Sequence, residues 1–157
     1  MLNHGEIARR IPHQGRMCLL ERVLQWDTER IECQAINHRA PDHPLRAHGR
    51  LGIACGIEYA AQAMAVHGAL IAEAAGHSGG TPRRGYLASV RGVTLHAARL
   101  DDVEHDLTVR AARVLGDADN IVYSFEIEAG GRSLLRGRAT VVLDAAVTLR
   151  LAARQHP

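Results

Sequence analysis

The longest apolar stretch of the chain, Leu51 to Gly76, has small or hydrophobic residues at almost every position. A helix that is apolar on nearly all sides is expected to be buried rather than to lie on the surface. Gly52, Gly56 and Gly68 cost helix stability, about 1 kcal/mol each relative to alanine, and they are tolerated where another element packs close to the backbone. The pattern therefore predicts one long, buried central helix.

Shorter segments on both sides of this helix have the residue types and alternation of β-strands. In one of them, Ile121, Tyr123, Phe125 and Ile127 share a face. Polar or glycine-containing turns separate the segments. The predicted strands are residues 17–26, 30–37, 85–95, 106–114, 121–129 and 134–143, with a short helix at 4–10, irregular loops at 11–16 and 38–50, and a break at Gly76 and 78–82.

Two strands, one long helix and four strands predict an α+β fold in which an antiparallel sheet wraps around the helix. A single sheet covers only part of such a helix, so the uncovered side must pack against a second surface. The simplest expectation is that a dimer partner provides that surface. The length of 157 residues fits one domain, 1–157. Its core is predicted at about residues 5–144, with a frayed tail at 145–157.

The composition is that of a globular domain, with 46% hydrophobic and 23% charged residues. All 19 basic residues are arginine, which fits either a compositional bias of the genome or partners with carboxylate or phosphate groups. The formal net charge of +2 is too small to indicate a nucleic-acid-binding protein. Aromatic residues, 3% of the chain, do not interleave with the arginines as a base-stacking surface requires.

Cysteine usage and hydropathy together predict a cytoplasmic protein. Cys18, Cys33 and Cys55 are odd in number, widely spaced and set in apolar runs, which indicates buried thiols in a reducing compartment rather than a disulfide framework. Residues 1–10 carry charges and lack an apolar signal core. Polar residues interrupt the apolar stretch 51–75, so it is a poor membrane span.

Glu58 is the first candidate for chemistry, because a carboxylate in a mostly buried helix is costly unless it is paired or protonated. Gln62 lies one turn later on the same face, within hydrogen-bonding reach. The helix start near Gly52 and Ile53 offers unpaired N–H groups that can polarise a carbonyl. The alternative is a structural carboxylate held by an arginine.

The histidines give a weaker signal. His13 lies in a loop just before an apolar strand, and His43 and His48 lie in the loop that leads into the helix. Most such loop histidines are solvated. His67 falls on the opposite side of the helix from Glu58, where a structural role is expected. No metal-ligand spacing, phosphate-binding loop or dinucleotide motif is present, so neither a metal nor a cofactor is predicted.

Two longer motifs carry a resemblance to a known family. Residues 11–23, IPHQGRMCLLERV, resemble the opening LPHxxPMxLLDRV pattern of 3-hydroxyacyl-[acyl carrier protein] dehydratases. Residues 56–65, GIEYAAQAMA, resemble the xIExMAQAxA helix of the same family, and residues 85–91 resemble the strand that follows it. The similarity spans most of the chain in the expected order, and it is greatest to the dehydratase-like branch of aryl polyene pigment clusters.

The resemblance implies a hot-dog fold, in which a sheet wraps around a central helix, and a dimer with two active sites between its subunits. It implies that Glu58 is the catalytic acid and that the N–H of Ile53 binds the thioester carbonyl. The residues that it places at the substrate are Gly52, Ile53, Gln62, Tyr86 and Leu87, the last two in the acyl tunnel.

The sequence departs from the family in the loop before the helix. Typical members carry a catalytic histidine there in a GHFPGxPxMPG motif, which residues 44–52 lack. Pro44 occupies the position, counted back from Glu58, at which that histidine is expected. The aryl polyene branch keeps the histidine of the opening motif instead. His13 is therefore predicted to be the second catalytic group, with His48 as its substitute.

The predicted activity is dehydration of a 3-hydroxyacyl thioester, linked to acyl carrier protein, to a trans-2-enoyl thioester in fatty-acid or aryl polyene biosynthesis. Imidazole suits the base that removes the C2 proton, and a glutamate with a raised pKa suits the acid. Arginines at the tunnel mouth are candidates for contacts with phosphopantetheine or an acidic carrier protein. They are Arg16, Arg46, Arg83 and Arg84.

Two alternatives remain open on the sequence. A hot-dog thioesterase also places a carboxylate on the central helix and hydrolyses the thioester with water. An inactive subunit that completes a heteromeric dehydratase would explain the missing loop histidine. The expected partners are an acyl substrate linked to carrier protein or coenzyme A and a second hot-dog subunit, identical or different, in a dimer or a higher oligomer. No nucleic acid and no membrane span are expected. Acyl chain length is not predicted.

Overall fold

The computed structural model describes residues 1–77 and 85–143. The predicted break at 78–82, Arg83, Arg84 and the tail 145–157 lie outside the described residues. Within them the chain forms seven strands and two α-helices. The elements are β1 (Leu2–Asn3), α1 (His4–Ala8), β2 (Arg22–Trp26), β3 (Arg30–Ala35), α2 (Gly56–Ala74), β4 (Gly85–Leu95), β5 (Leu107–Gly116), β6 (Asn120–Ala129) and β7 (Arg132–Leu143), with 3-10 turns at Gly15–Met17, Asn37–Arg39 and Ile53–Cys55.

All seven strands join one antiparallel sheet in the order β1-β2-β3-β5-β6-β7-β4. The sheet curves around α2, which packs on β3, β5 and β6. This is the hot-dog fold, so the predicted fold class is confirmed. Strand β4 lies at one edge of the sheet, away from the strands that α2 covers, and its residues are largely exposed.

Helix α2 is the predicted central helix with slightly different bounds. It follows a 3-10 turn, Ile53–Cys55, and nine of its residues are buried. At its C-terminus the N–H of Gly76 donates to Glu73 and that of His77 donates to Ala72. Gly76 has a φ of 82°, which makes this a Schellman cap that glycine accommodates without strain.

The helix glycines serve different purposes. A Cβ on Gly56 would overlap the buried Leu135 side chain and would lie 3.1 Å from Cδ1 of Ile127, so the sheet packs directly on the helix backbone there. A Cβ on Gly68 would meet nothing within 4 Å. Close packing therefore explains Gly56 and not Gly68.

The N-terminal region differs from the prediction in two ways. The strand predicted at 17–26 begins only at Arg22, because the preceding residues form a 3-10 turn and an extended segment in which Met17 and Leu19 bond to Gln62 of α2. A two-residue strand, Leu2–Asn3, pairs with β2. Asn3 also caps α1 in a capping box with Glu6, which explains why the predicted short helix begins at residue 4.

The cysteines are all free. Cys18 and Cys33 are buried as predicted, whereas Cys55 is partly exposed. Burial raises the pKa of the Cys33 thiol to about 12. In the described part of the chain, no helix is long and apolar enough to cross a membrane.

Candidate active site

Gln62 fixes one oxygen of Glu58. Its Nε2 donates to Oε1 of Glu58 at 3.1 Å and to the carbonyl of Met17 at 2.7 Å, while its Oε1 accepts the N–H of Leu19 at 2.8 Å. The amide orientation is set, because a backbone N–H can only donate and a carbonyl can only accept. Gln62 is fully buried and both amide hydrogens are in use, so it positions Glu58, and the predicted contact with substrate is not favoured.

His13 lies beside the same carboxylate. Its Nε2 is 3.0 Å from Oε1 of Glu58, and both side chains are about one-third exposed, 30% and 33%. The loop that carries His13 is held by Gln14, whose side chain donates to the carbonyls of Ala8 and Ile11. The structure thus brings together the first two residues that the sequence analysis singled out, although they are far apart in the chain.

Among the described residues, a histidine and a glutamine contact the Glu58 carboxylate. No arginine contacts its carboxylate in the described ranges, where its partners are His13 and Gln62. The described residues therefore give no support to the arginine-held alternative. Nor do three His, Cys, Asp or Glu side chains cluster as metal ligands in residues 1–77 and 85–143.

The start of α2 is arranged differently from the expectation. The N–H of Ile53 donates to the carbonyl of Ala98 at 3.1 Å, and the N–H of Leu100 donates to that of Leu51 at 2.8 Å. The Ile53 amide is therefore occupied. The next amide belongs to the exposed Ala54, and none of the hydrogen bonds among the described residues uses it. One turn before Glu58, Ala54 is the better candidate for binding a carbonyl oxygen.

His48, the predicted substitute for His13, lies elsewhere. Ala47 and Arg50 exchange two backbone hydrogen bonds, of 3.0 and 3.1 Å, and close a tight turn with His48 and Gly49 at its tip. The φ angles there are 52° and 75°, as a turn of type I′ requires. His48 is exposed, and no hydrogen bond or ion pair joins it to Glu58 within the described residues.

His43 forms a buried network that sequence reasoning did not find. Its Nδ1 accepts the N–H of Leu45 at 3.1 Å, so Nε2 carries the proton and donates to the Tyr59 hydroxyl at 2.9 Å. Tyr59 in turn donates to Oδ1 of Asn37 at 2.6 Å. Burial lowers the pKa of His43 and raises that of Tyr59. The network anchors the loop before α2 to the helix and uses both ring nitrogens of His43.

Two of the arginines predicted at the tunnel mouth, Arg16 and Arg46, have partners. Arg46 forms an ion pair with Asp101 at 3.4 Å, and Asp101 also accepts the N–H of Leu51 at 3.0 Å. Arg99 beside it holds the pKa of the Asp101 carboxyl well below its usual range. This cluster fixes the segment that leads into α2. Arg16 is exposed and pairs with Asp42 at 3.2 Å.

Tyr86 and Leu87 point to opposite faces of the sheet, because neighbouring residues of a strand alternate. Leu87 pairs with Val141 and so shares the face of the buried Ala139, which is the helix side. Tyr86 pairs with Val142 and lies on the outer face. Of the two predicted tunnel residues, only Leu87 is on the side of Glu58.

Comparison with solved structures finds the same fold in dehydratases and thioesterases. A chain of the dehydratase heterocomplex ApeI:P from Xenorhabdus doucetiae matches with a TM-score of 0.81 and 22% identity, covering 95% of this chain and 97% of that chain. Thioesterase HI1161 from Haemophilus influenzae matches with a TM-score of 0.61 and 11% identity, covering 92% of each chain. A hypothetical thioesterase with coenzyme A from Streptococcus pneumoniae TIGR4 matches with a TM-score of 0.56 and 12% identity, covering 78% of this chain and 84% of that chain.

These identities are low enough that the structural likeness establishes the fold alone. No curated protein matches the sequence. The family model of the ApeP dehydratase, ApeP-like, matches residues 5–150, which is nearly the whole chain and includes Glu58 and His13. The chain therefore belongs to the ApeP-like dehydratase family.

Proposed function

We propose that this protein dehydrates a 3-hydroxyacyl thioester, carried by acyl carrier protein, to a trans-2-enoyl thioester in fatty-acid or aryl polyene biosynthesis. The observation that supports it most is the contact of 3.0 Å between His13 and Glu58 at the first turn of α2. In a member of a dehydratase family, it places a carboxylate, which can transfer a proton, in contact with an imidazole.

The reaction needs a group that moves a proton between C2 and the C3 hydroxyl, and a donor for charge on the thioester oxygen. Glu58 fits the first need, because its carboxylate is held by Gln62 and remains one-third exposed. The N–H of Ala54 fits the second, since Ala54 is an exposed residue of the 3-10 turn that leads into α2 and no described residue accepts a hydrogen bond from this N–H. Leu87 lies on the helix side of β4, where an acyl chain would run.

A second hot-dog subunit is part of the proposal, as a partner at the β4 edge. On the helix side of β4, Leu87, Val93 and Leu95 are 41%, 36% and 50% exposed, because α2 packs on β3, β5 and β6 and leaves this part of the sheet uncovered. An edge strand with exposed apolar residues is expected to be covered by another chain. The ApeI:P structure, a heterocomplex, supports a partner that differs from this chain.

One observation favours a second candidate, an inactive subunit that completes a heteromeric dehydratase. No histidine of the loop 38–50 contacts Glu58 among the described residues, since His43 is bonded to Tyr59 and His48 lies at an exposed turn. Under this alternative the complete catalytic set belongs to the partner.

The cytoplasmic location and the choice of acyl carrier protein over coenzyme A remain predictions.

Mass spectrometry of the acyl thioester distinguishes these functions. Wild-type protein and Glu58→Gln are given 3-hydroxyacyl thioesters on carrier protein and on coenzyme A, alone and co-expressed with a hot-dog dehydratase subunit from the same genome. Loss of one water from an intact thioester, abolished by Glu58→Gln, supports the proposal. Release of the free acid identifies a thioesterase. Activity of the complex that Glu58→Gln does not change supports the inactive-subunit alternative.

A further inference from the structure

Neither ring nitrogen of His13 is open to a substrate. Nε2 faces Oε1 of Glu58 at 3.0 Å. Nδ1 is buried and has no hydrogen-bond partner among the described residues. A base that removes a proton from C2 needs a lone pair that the substrate can approach within about 3 Å, and His13 presents none.

The two oxygens of Glu58 are unequal. Oε1 lies within hydrogen-bonding distance of two donors, Nε2 of His13 and Nε2 of Gln62. No donor within the described residues contacts Oε2. Because the Gln62 amide is locked by Leu19 and Met17, the carboxylate cannot turn over without breaking both contacts to Oε1. Oε2 is thus the oxygen left for the substrate.

From this geometry we infer that Glu58, rather than His13, exchanges a proton with the substrate, through Oε2, and that His13 is a positioning residue that donates from Nε2 to Oε1. The inference rests on the proposed dehydration. It replaces the division of roles predicted from the sequence, in which imidazole is the base and the carboxyl group is the acid.

The reaction balances with one carboxylate. Oε2 of Glu58 takes the proton from C2, and the electrons of the C2–H bond form the C2=C3 double bond. The C3–O bond breaks with its electrons on oxygen, and the same proton passes from Oε2 to that oxygen, which leaves as water. The carboxylate is restored, so His13 neither gains nor loses a proton during the cycle.

Substitutions at position 13 separate the two roles. A glutamine amide can donate to Oε1 as the imidazole does, but it cannot act as a base at neutral pH. We expect His13→Gln to keep kcat within about tenfold of wild type. His13→Ala should lower kcat by about 10²-fold with KM unchanged, as expected for a misplaced catalytic group. His77→Ala, at the exposed far end of α2, is the control and should match wild type.

The outcome that overturns the inference is a His13→Gln variant as inactive as Glu58→Gln, because the imidazole would then be transferring the proton itself. His13→Ala with a wild-type kcat would overturn it as well, since His13 would then position nothing. Denaturation midpoints of each variant show whether a loss of kcat reflects unfolding. If His13→Ala does not fold, the comparison of His13→Gln with Glu58→Gln still decides.

An NMR measurement tests the same contact without turnover. Long-range proton–nitrogen spectra of protein labelled with nitrogen-15 in histidine report which ring nitrogen carries the proton, and His13→Gln identifies the signals. We expect the proton of His13 on Nε2, and a shift of that nitrogen in Glu58→Gln. A proton on Nδ1 alone, or no response to Glu58→Gln, contradicts the inference. If no preparation dehydrates any thioester, the proposed function fails while this measurement still stands.

Discussion

Replacing Gln62 with leucine tests how the Glu58 carboxylate is held. Leucine fills most of the space of glutamine but can neither donate nor accept. The substitution removes the bond to Glu58 and leaves the N–H of Leu19 and the carbonyl of Met17 without their partner. Because Gln62 is fully buried, water cannot easily replace the lost bonds.

The size of the effect follows from those two backbone groups. Each buried group left unpaired costs about 1–3 kcal/mol, so the two groups freed by Gln62→Leu should lower the free energy of unfolding by about 2–6 kcal/mol. For a chain of this length, each kcal/mol corresponds to roughly 2–4 °C in Tm. Activity should fall further than stability explains, since Glu58 also loses the donor that orients it.

Gln62→Glu gives the same site a pH dependence of known sign. The new carboxyl group would face two acceptors, the Met17 carbonyl and Oε1 of Glu58, so folding favours its protonated form. Its folded-state pKa would lie above the ordinary value of about 4.3, and the folded state would bind more protons than the unfolded state. Stability of the variant relative to wild type should therefore fall as pH rises above about 4.3.

Urea denaturation followed by circular dichroism, at several pH values, measures both variants against wild type. Gln62→Leu with a wild-type midpoint would refute the hydrogen-bond assignment at Gln62. So would a Gln62→Glu variant whose stability relative to wild type does not change with pH.

Two further predictions concern stability. Gly68→Ala should stabilise the protein by up to about 1 kcal/mol, because alanine is the better helix former and meets nothing. Gly56→Ala should be less stable than Gly68→Ala by about 1–3 kcal/mol because of its overlap with the sheet, and equal midpoints would contradict this packing. Burial lowers the pKa of His38, His43 and His67, so the unfolded state binds more protons below about pH 6.5. The free energy of unfolding should therefore fall as pH decreases from there. A free energy of unfolding that does not change between pH 7 and 5 would refute this prediction.

The pattern of apolar residues predicted the central helix and the sheet because both depend on local periodicity. The contact between Glu58 and Gln62 was likewise predictable, since residues four apart meet on a helix. The opposite faces of Tyr86 and Leu87 also follow from strand alternation alone. That signal was present in the sequence and was overlooked.

Other features depend on contacts between distant parts of the chain. Pairing of the segment before α2 with residues 98–100 occupies the Ile53 amide, and no local pattern reveals it. The same holds for the network of His43, Tyr59 and Asn37. The contact of His13 with Glu58 was expected only through the family resemblance, because spacing gives no information across so many residues.

The most direct test of the account is the reverse reaction in water labelled with oxygen-18. Wild-type protein, alone and co-expressed with a hot-dog dehydratase subunit from the same genome, is given a trans-2-enoyl thioester on carrier protein. The acyl group is analysed by mass spectrometry beside the Glu58→Gln variant. The account predicts that wild type adds one labelled water to the acyl chain while the thioester stays intact, and that Glu58→Gln adds none. Label in a released carboxylate, or addition of water that does not depend on Glu58, would contradict it.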